Sequence, residues 1–552
     1  MTQAPVSIAQ YYHQRTKYDP ETIAQTGKAL DWSQQPVPYK TYPLGAEIDL
    51  KPFLKGEATS GEAASGGGPG QLTPEEDTWW RRLSHFLVSS YGLTAKVMTP
   101  GEPVYLRASP SAGGLYPAEV YLISRGTSLV PAGLYNYQAR SHSLLRFWED
   151  YPWPALQAAC FWHPALENIQ LALVVTGVFQ RSVWRYQARA YRRILLDSGH
   201  LLGNLVLAGS LCDYRPHLIG GFIDEAVNRL LYLEEGEEGA IAVLALADLL
   251  EVSQNLSLGC TALPTETHVD YPHLDGDDLL PYLHQVSQIA PSPDLSLSQG
   301  QPARPSAQPP EPSPEPFPEP SPAEPDVQPE GPPEVTSPPS DKYALPFGEK
   351  RTTTTPPISW GEGLSHLNST ILRRRSTRHY TGADLPLTAL LQVLDFTYQP
   401  THYREQGLDA NPDYFDLSLI ETFVAVSGVT DLEPGCYYYA PQAQTLRQVR
   451  FKQFRRELHY LCLGQNLGRD AAAIVFHTAD LSKAIERYGD RAYRYLHLDA
   501  GHLGQRLNLA AIGLQLGVSG IAGFFDDQVN DVLGIPEDEA VLYITTLGMP
   551  RS

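Results

Sequence analysis

Ser182–Leu211 reads SVWRYQARAYRRILLDSGHLLGNLVLAGSL, and Ala484–Leu514 reads AIERYGDRAYRYLHLDAGHLGQRLNLAAIGL. The two align without a gap at an offset of 302 residues, which sets Tyr186 on Tyr488, Arg189 on Arg491, Tyr191 on Tyr493, Arg192 on Arg494, Gly199 on Gly501 and His200 on His502. The same register runs back to Glu119 on Glu421 and to Gly133 and Tyr135 on Gly435 and Tyr437. It runs forward to Gly221 and Phe222 on Gly523 and Phe524. Chance does not hold one register over such a distance, so the chain is a duplicated domain.

Each copy carries an apolar, strand-like run, LALVVTGVF from Leu171 and AAAIVFHTA from Ala471. A long helical pattern follows, in which Leu201, Leu205 and Ala208, or Leu503, Leu507 and Ala510, recur at spacings of three and four. A Gly-containing turn, a short amphipathic helix (DEAVNRLL, DDQVNDVL) and a last strand (AIAVLALA, AVLYITTLG) close the pattern. Strands and helices mixed around a sheet predict an α+β domain, present twice. Between about Ala290 and Asp341 the composition turns to Pro, Glu and Ser, too poor in apolar side chains to offset ordering entropy, which predicts a solvated linker. Ala58–Gln71, ATSGEAASGGGPGQ, predicts a flexible loop. The expected organisation is a leader segment packing on the first domain over 1–60, a first domain over 61–287, a Pro-rich linker over 288–345 and a second domain over 346–552.

Among 552 residues, 41 Lys and Arg face 62 Asp and Glu, for a net charge of −21 and no long basic cluster. That balance argues against nucleic acid and against an anionic membrane as partners. Cys160, Cys212, Cys260, Cys436 and Cys462 are scattered singly, which fits neither a disulfide framework nor a zinc site. The N-terminus lacks a basic and then apolar signal pattern, and the expected location is the cytoplasm.

Two stretches carry a family resemblance. Arg107–Tyr121 reads RASPSAGGLYPAEVY and is followed by GLYNY, and Arg374–Arg378 reads RRSTR. With the RYxxRAYRxxxLDxGHL helix, the GGF or AGF turn and an N-terminal segment, YHQRTKYD through LDWSQQPVPYKTYP, they are similar to the nitroreductase superfamily, in its SagB/ThcOx-type dehydrogenase branch, whose leader that segment resembles. The resemblance implies a nitroreductase-like fold whose two fused copies form an intramolecular pseudo-dimer, with FMN in the crevice between them. It assigns the phosphate to Arg374, Arg375, Ser376 and Arg378, residue types that supply clustered guanidinium and hydroxyl donors. It assigns the flavin ring to the small-residue loop of Ser109, Pro110, Ser111, Gly113 and Gly114, which lets main chain approach closely. Backbone around Ala522, Gly523 and Phe524 is expected near flavin N5.

The copies are not equivalent. Ser109–Gly114 falls on Asn411–Asp416, NPDYFD, where bulky and acidic residues replace small ones, and the region of the first copy matching RRSTR holds no arginine. One composite crevice is therefore expected to hold FMN. The resemblance implies an FMN-dependent oxidoreductase moving hydride to or from flavin N5, acting on a small molecule or peptide, with NAD(P)H or O2 as redox partner. Azoline-oxidising members carry Lys-Tyr where this chain has Arg185-Tyr186 and Arg487-Tyr488; arginine is not a base, but it can stabilise a tyrosinate or a substrate anion. Tyr488, Tyr186 and Arg487 are the candidate catalytic residues. His200 and His502 read as packing or helix-to-helix hydrogen-bonding groups. The rival readings are an NAD(P)H-dependent nitro or quinone reductase, and a non-catalytic interaction module.

Overall fold

The computed structural model describes residues 6–21, 23, 30–54, 72–98, 103–252, 262–291, 341–343 and 348–551; the whole Gly/Ser stretch Ala58–Gln71 and most of the Pro-rich stretch lie outside them. The first repeat builds a seven-stranded antiparallel sheet in the spatial order Ala46–Asp49, Ser143–Trp148, Gly133–Gln138, Ala118–Ser124, Leu171–Val178, Glu238–Asp248, Tyr214–Ile219. The second repeats that order with Lys350–Thr352, Thr445–Phe451, Gly435–Ala440, Glu421–Val426, Ala473–Asp480, Glu539–Gly548 and Gly517–Ile521. Leu171–Val175 reads as an unbroken apolar run because both its faces are covered. Leu171, Leu173 and Val175 join the core under the long helix, and Ala172 and Val174 join a separate core on the far side. The chain is thus the expected pair of α+β copies.

The long helices Ala190–Leu211 and Ala492–Gly513 cross at the centre of the molecule. A Cβ on Gly199 would lie 2.2 Å from the Leu498 carbonyl oxygen, and one on Gly501 would lie 2.3 Å from that of Leu196. Only glycine at both positions lets the two backbones touch. Phe179–Leu211 is long and apolar enough by composition to cross a membrane, but 89% of its apolar window is buried in the fold. Its polar side chains, Arg192, Arg193, Asp197, His200 and Asn204, are buried with it and find hydrogen-bond partners inside the fold, as a core helix with neighbours on every side requires.

Buried charge fastens the copies. Asp526 of the second repeat pairs with Arg189 and Arg192 of the first at 2.8 and 2.7 Å, and Asp224 of the first pairs with Arg491 and Arg494 of the second at 2.6 and 2.7 Å. All six side chains are buried.

Two short helices complete these clusters in matching ways. From Ile8–Arg15 and the residue after it, the His13 carbonyl and Thr16 Oγ1 accept from Arg192, while His13 Nδ1 meets Tyr493 Oη. From Leu279–Val286 and the residue after it, the His284 carbonyl and Ser287 Oγ accept from Arg494, while His284 Nδ1 meets Tyr191 Oη. The sequences correspond as Tyr11-Tyr12-His13-Gln14 and Tyr282-Leu283-His284-Gln285. The leader therefore bridges both domains, and a second leader stands before the Pro-rich stretch.

Candidate functional site

The pseudo-twofold relation makes two crevices, one on each side of the crossed helices, and their chemistry differs. In one, Tyr414 stacks on His502 with ring centroids 4.2 Å apart, and Phe415 stacks on Tyr495 at 4.6 Å. These rings fill the space, and a Cβ on Gly220 would already meet Phe415 at 3.0 Å. In the other crevice the equivalent positions are Ala112 and Gly113, and a cavity of about 640 Å³ opens. Its wall combines Pro110–Gly114, Arg185, Tyr186 and Arg193 of the first repeat with Ser376, Arg378, Ser519–Gly523 and Tyr543 of the second, and Tyr18 comes from the leader. That volume is in the ordinary range of cofactor sites.

The small-residue loop is held by a buried carboxylate. Asp197, on the long helix, accepts from Ser111 Oγ at 2.6 Å and from the Ala112 N–H at 3.1 Å. Burial pushes its carboxyl up to about 7, against the pull of those hydrogen bonds. Asp499 does the same in the filled crevice, accepting from the N–H groups of Phe415 and Asp416. The anchor is common to both crevices, and only the loop it holds has changed.

Opposite the loop, a directed hydrogen-bond chain ends at the cavity. Asn204 donates to the Ser89 and Ser90 carbonyls, so its Oδ1 accepts from Gln505 Nε2 at 2.6 Å. Gln505 Oε1 then accepts from His200 Nδ1 at 3.0 Å, and His200 Nε2 accepts from Tyr543 Oη at 2.9 Å. Burial lowers His200 to about 4, so it stays neutral, and the Tyr543 oxygen offers the cavity only acceptor lone pairs. His502, its counterpart, stacks on Tyr414, and its Nε2 has no partner among the described residues.

Comparison with known proteins agrees with this architecture. The model of the Nitroreductase family matches residues 93–247 and 371–549, together more than half of the chain. The chain belongs to the nitroreductase family. A crystal structure described as that of a nitroreductase from Anabaena variabilis is 58% identical, superposes with a TM-score of 0.86 and covers 99% of this chain and 100% of its own. The microcin B17-processing protein McbC of Escherichia coli is 25% identical over 31% of this chain and 62% of its own length. The trifolitoxin operon protein TfxC of Rhizobium leguminosarum is 28% identical over 32% of this chain and 54% of its own. Both likenesses agree with the SagB-type branch, and each spans less than two thirds of the relative.

Within this nitroreductase fold the candidate residues separate. Pro110, Ser111, Gly113, Gly114, Ala522, Gly523, Ser376, Arg378 and Tyr186 line the open cavity. Ser109 and Phe524 are buried behind the wall, Phe524 beneath the Arg189 guanidinium. Arg374 is also buried, donating to the Ala108 and Arg107 carbonyls, and Arg375 donates to the Thr94 carbonyl. These two arginines satisfy carbonyls of the hairpin Leu93–Val97/Val104–Arg107 and dock it on the second repeat, so the donors facing the cavity are Ser376 and Arg378. Tyr488 and Arg487 lie on the filled side, bonded to Asp416 at 3.1 and 2.8 Å, and do not border the cavity. Their placement follows from the asymmetry, since the short helix Leu481–Tyr488, which precedes the long helix of the second repeat, brings its Arg-Tyr end to the filled crevice. Sequence reasoning missed Tyr18, Arg193, Asp197 and Tyr543; the offset gives Arg193 and Tyr543 no like partner, only Tyr495 and Ile241.

Proposed function

We propose that the open crevice binds one FMN and that the protein is an FMN-dependent oxidoreductase of the SagB-type dehydrogenase class. The observation that carries this reading is the contrast between crevices: space that two aromatic rings take up on one side is open on the other, between a small-residue backbone and the hydroxyl and guanidinium of Ser376 and Arg378. A planar ring with a phosphorylated tail suits that wall, with Ser376 and Arg378 on the phosphate and Pro110–Gly114 over the ring. When bound, FMN supplies hydride transfer at N5.

The chain's own residues orient the reactants and move protons. Burial raises the Tyr186 hydroxyl, against Arg193 and Arg185, and keeps its proton on. At Tyr18 the upward push of burial is outweighed by Arg193 and Arg189, and the hydroxyl falls below its ordinary value. Tyr18 is thus the more acidic donor at the cavity and Tyr186 the weaker. The names of McbC and TfxC favour a peptide or natural product as substrate over a nitro compound or quinone.

Purified protein is expected to carry one FMN per chain; two would overturn the single-site reading. Charge-assisted contacts contribute about 1.5–3 kcal/mol each, so Ser376→Ala with Arg378→Ala is expected to weaken FMN binding roughly a hundredfold or more, measured by flavin fluorescence. FMN affinity is also expected to depend on pH. As pH falls through about 7, Asp197 takes up a proton and loses acceptor strength towards Ser111 and Ala112, so the dissociation constant should rise. Asp197→Asn should bind more weakly and flatten the profile, and an unchanged profile would remove Asp197 from that role.

A further inference from the structure

The filled crevice shows what its Arg-Tyr pair holds. Arg487 Nη1 lies 2.8 Å from Asp416 Oδ2, and Tyr488 Oη donates to the same oxygen at 3.1 Å. On the open side the same pair recurs as Arg185 and Tyr186, but the position equivalent to Asp416 is Gly114. A Cβ there would meet nothing within 4 Å, while one on neighbouring Gly113 would lie 2.8 Å from Tyr186 Oη and 3.4 Å from Arg185 Nη1. The pair therefore stands beside open space in the place where its counterpart grips a carboxylate.

A second cation has no ion-pair partner among the described residues. Arg193 is buried with its guanidinium 3.8 Å from the Tyr186 ring centroid. Its polar contacts are the Arg189 and Ala522 carbonyls and Tyr18 Oη, all neutral. No carboxylate lies within 4 Å of Arg185 or Arg193 among the described residues, in a chain of net charge −21. Asp197, one turn along from Arg193, spends both its oxygens on the loop. At the matching site of the filled crevice Arg193 is replaced by the neutral Tyr495, so the open crevice has gained a positive charge where it has lost a carboxylate. A buried cation without a partner is costly, and an anion delivered by a ligand offsets that cost.

The phosphate end of the site lies elsewhere. Thr377, between Ser376 and Arg378, receives and donates at Val518, and Arg193 reaches the carbonyl of Ala522. Four residues of extended strand separate those points by about 13 Å.

We infer that the open crevice takes a substrate bearing a carboxylate, which Arg185 and Tyr186, backed by Arg193, bind beside Gly114 where the filled crevice carries its own Asp416. This rests on the reading of the open crevice as the cofactor and substrate site. The carboxylate can be a peptide C-terminus or that of a small acid, and a neutral amide of the same shape is excluded from tight binding.

Titration calorimetry on the purified protein with benzoate and benzamide tests this. Benzoate is expected to bind at least about tenfold tighter, as a charge-assisted contact requires. Arg185→Gln should remove that preference and leave benzamide unchanged. Gly114→Asp, at a φ of +67° that aspartate tolerates better than most residues, should supply the carboxylate from the chain and block benzoate, while Gly114→Asn should keep part of the binding. Equal affinity for both ligands, or a preference that survives Arg185→Gln, overturns the inference. Flavin content is read separately. Protein without flavin that still prefers benzoate supports the carboxylate site and overturns the FMN reading; protein with one FMN and no preference does the reverse.

Discussion

Asp526→Ala will cost about 3–5 kcal/mol and lower the thermal midpoint by many degrees, the largest effect expected of any single substitution in this chain. The loss is not that of one hydrogen bond. Asp526 compensates Arg189 and Arg192, neither of which has another carboxylate partner among the described residues, and it also accepts from the Tyr18 N–H. Truncating it leaves two guanidinium groups buried between the copies with no counter-charge. Asp224→Ala removes the same support from Arg491 and Arg494. If the cost is that of stranded charge, Arg192→Met added to Asp526→Ala should recover part of the stability, because replacing a buried pair by apolar groups is far cheaper than breaking it. A double variant as unstable as the single one would contradict this account.

The pH dependence has two opposed parts. Burial raises Asp526 but Arg189 and Arg192 outweigh it, so its folded-state carboxyl lies below the ordinary value. The stability it contributes is present above the unfolded carboxyl value of about 4 and is lost as pH falls through its folded one. Asp197 and Asp499 are displaced the other way, up to about 7 by burial. Their contribution is complete below about 4 and is lost as pH rises through about 7. The thermal midpoint should peak between these values, and Asp526→Ala should flatten its acidic limb only.

The duplication was legible because the Arg-Ala-Tyr-Arg helix serves both sides of a pseudo-twofold axis, so the same side chains are needed twice. The filling of one crevice was legible for the same reason: Ala112 and Gly113 against Tyr414 and Phe415 is a difference in volume that the sequence states directly. Three things were not. Arg374 and Arg375 share a motif with Ser376 and Arg378, and only the hairpin carbonyls at Thr94, Arg107 and Ala108 decide which donors face inward. The Arg-Tyr pair occurs twice, and nothing local says which pair borders the open side. The leader repeat escaped because its offset is 271 residues rather than 302, the Pro-rich stretch following the second leader and not preceding it. The signal was present as His13-Gln14 and His284-Gln285, each directly after a large hydrophobic residue, Tyr12 or Leu283, but it is too short to stand out without the arginines that bind it. We therefore read the second repeat as beginning near Leu279.

Cutting the chain within 292–340 and producing the two fragments separately should give neither a folded protein nor an FMN site. The first fragment would keep Asp224 and the helix Leu279–Val286 with its following Ser287, where the His284 carbonyl and the Ser287 hydroxyl serve Arg494, but lose both arginines that neutralise that carboxylate. The second would expose Arg491, Arg494 and the whole helix Ala492–Gly513, buried along almost its entire length. Ser376 and Arg378 would stay with the second fragment and Pro110–Gly114 with the first. Co-expression removes these defects, because each half supplies the other's counter-ions while both are still folding, and the pair should purify together with one FMN. Dilution should dissociate the cut pair more readily than the intact chain, since a covalent link between the halves holds each at roughly millimolar effective concentration to the other. Size-exclusion chromatography with flavin absorbance reads all of this at once. Stoichiometric FMN on the second fragment alone would show that the site is not composite, and a monodisperse, cooperatively melting single fragment would show that the buried charge between the copies is not what makes them one folding unit.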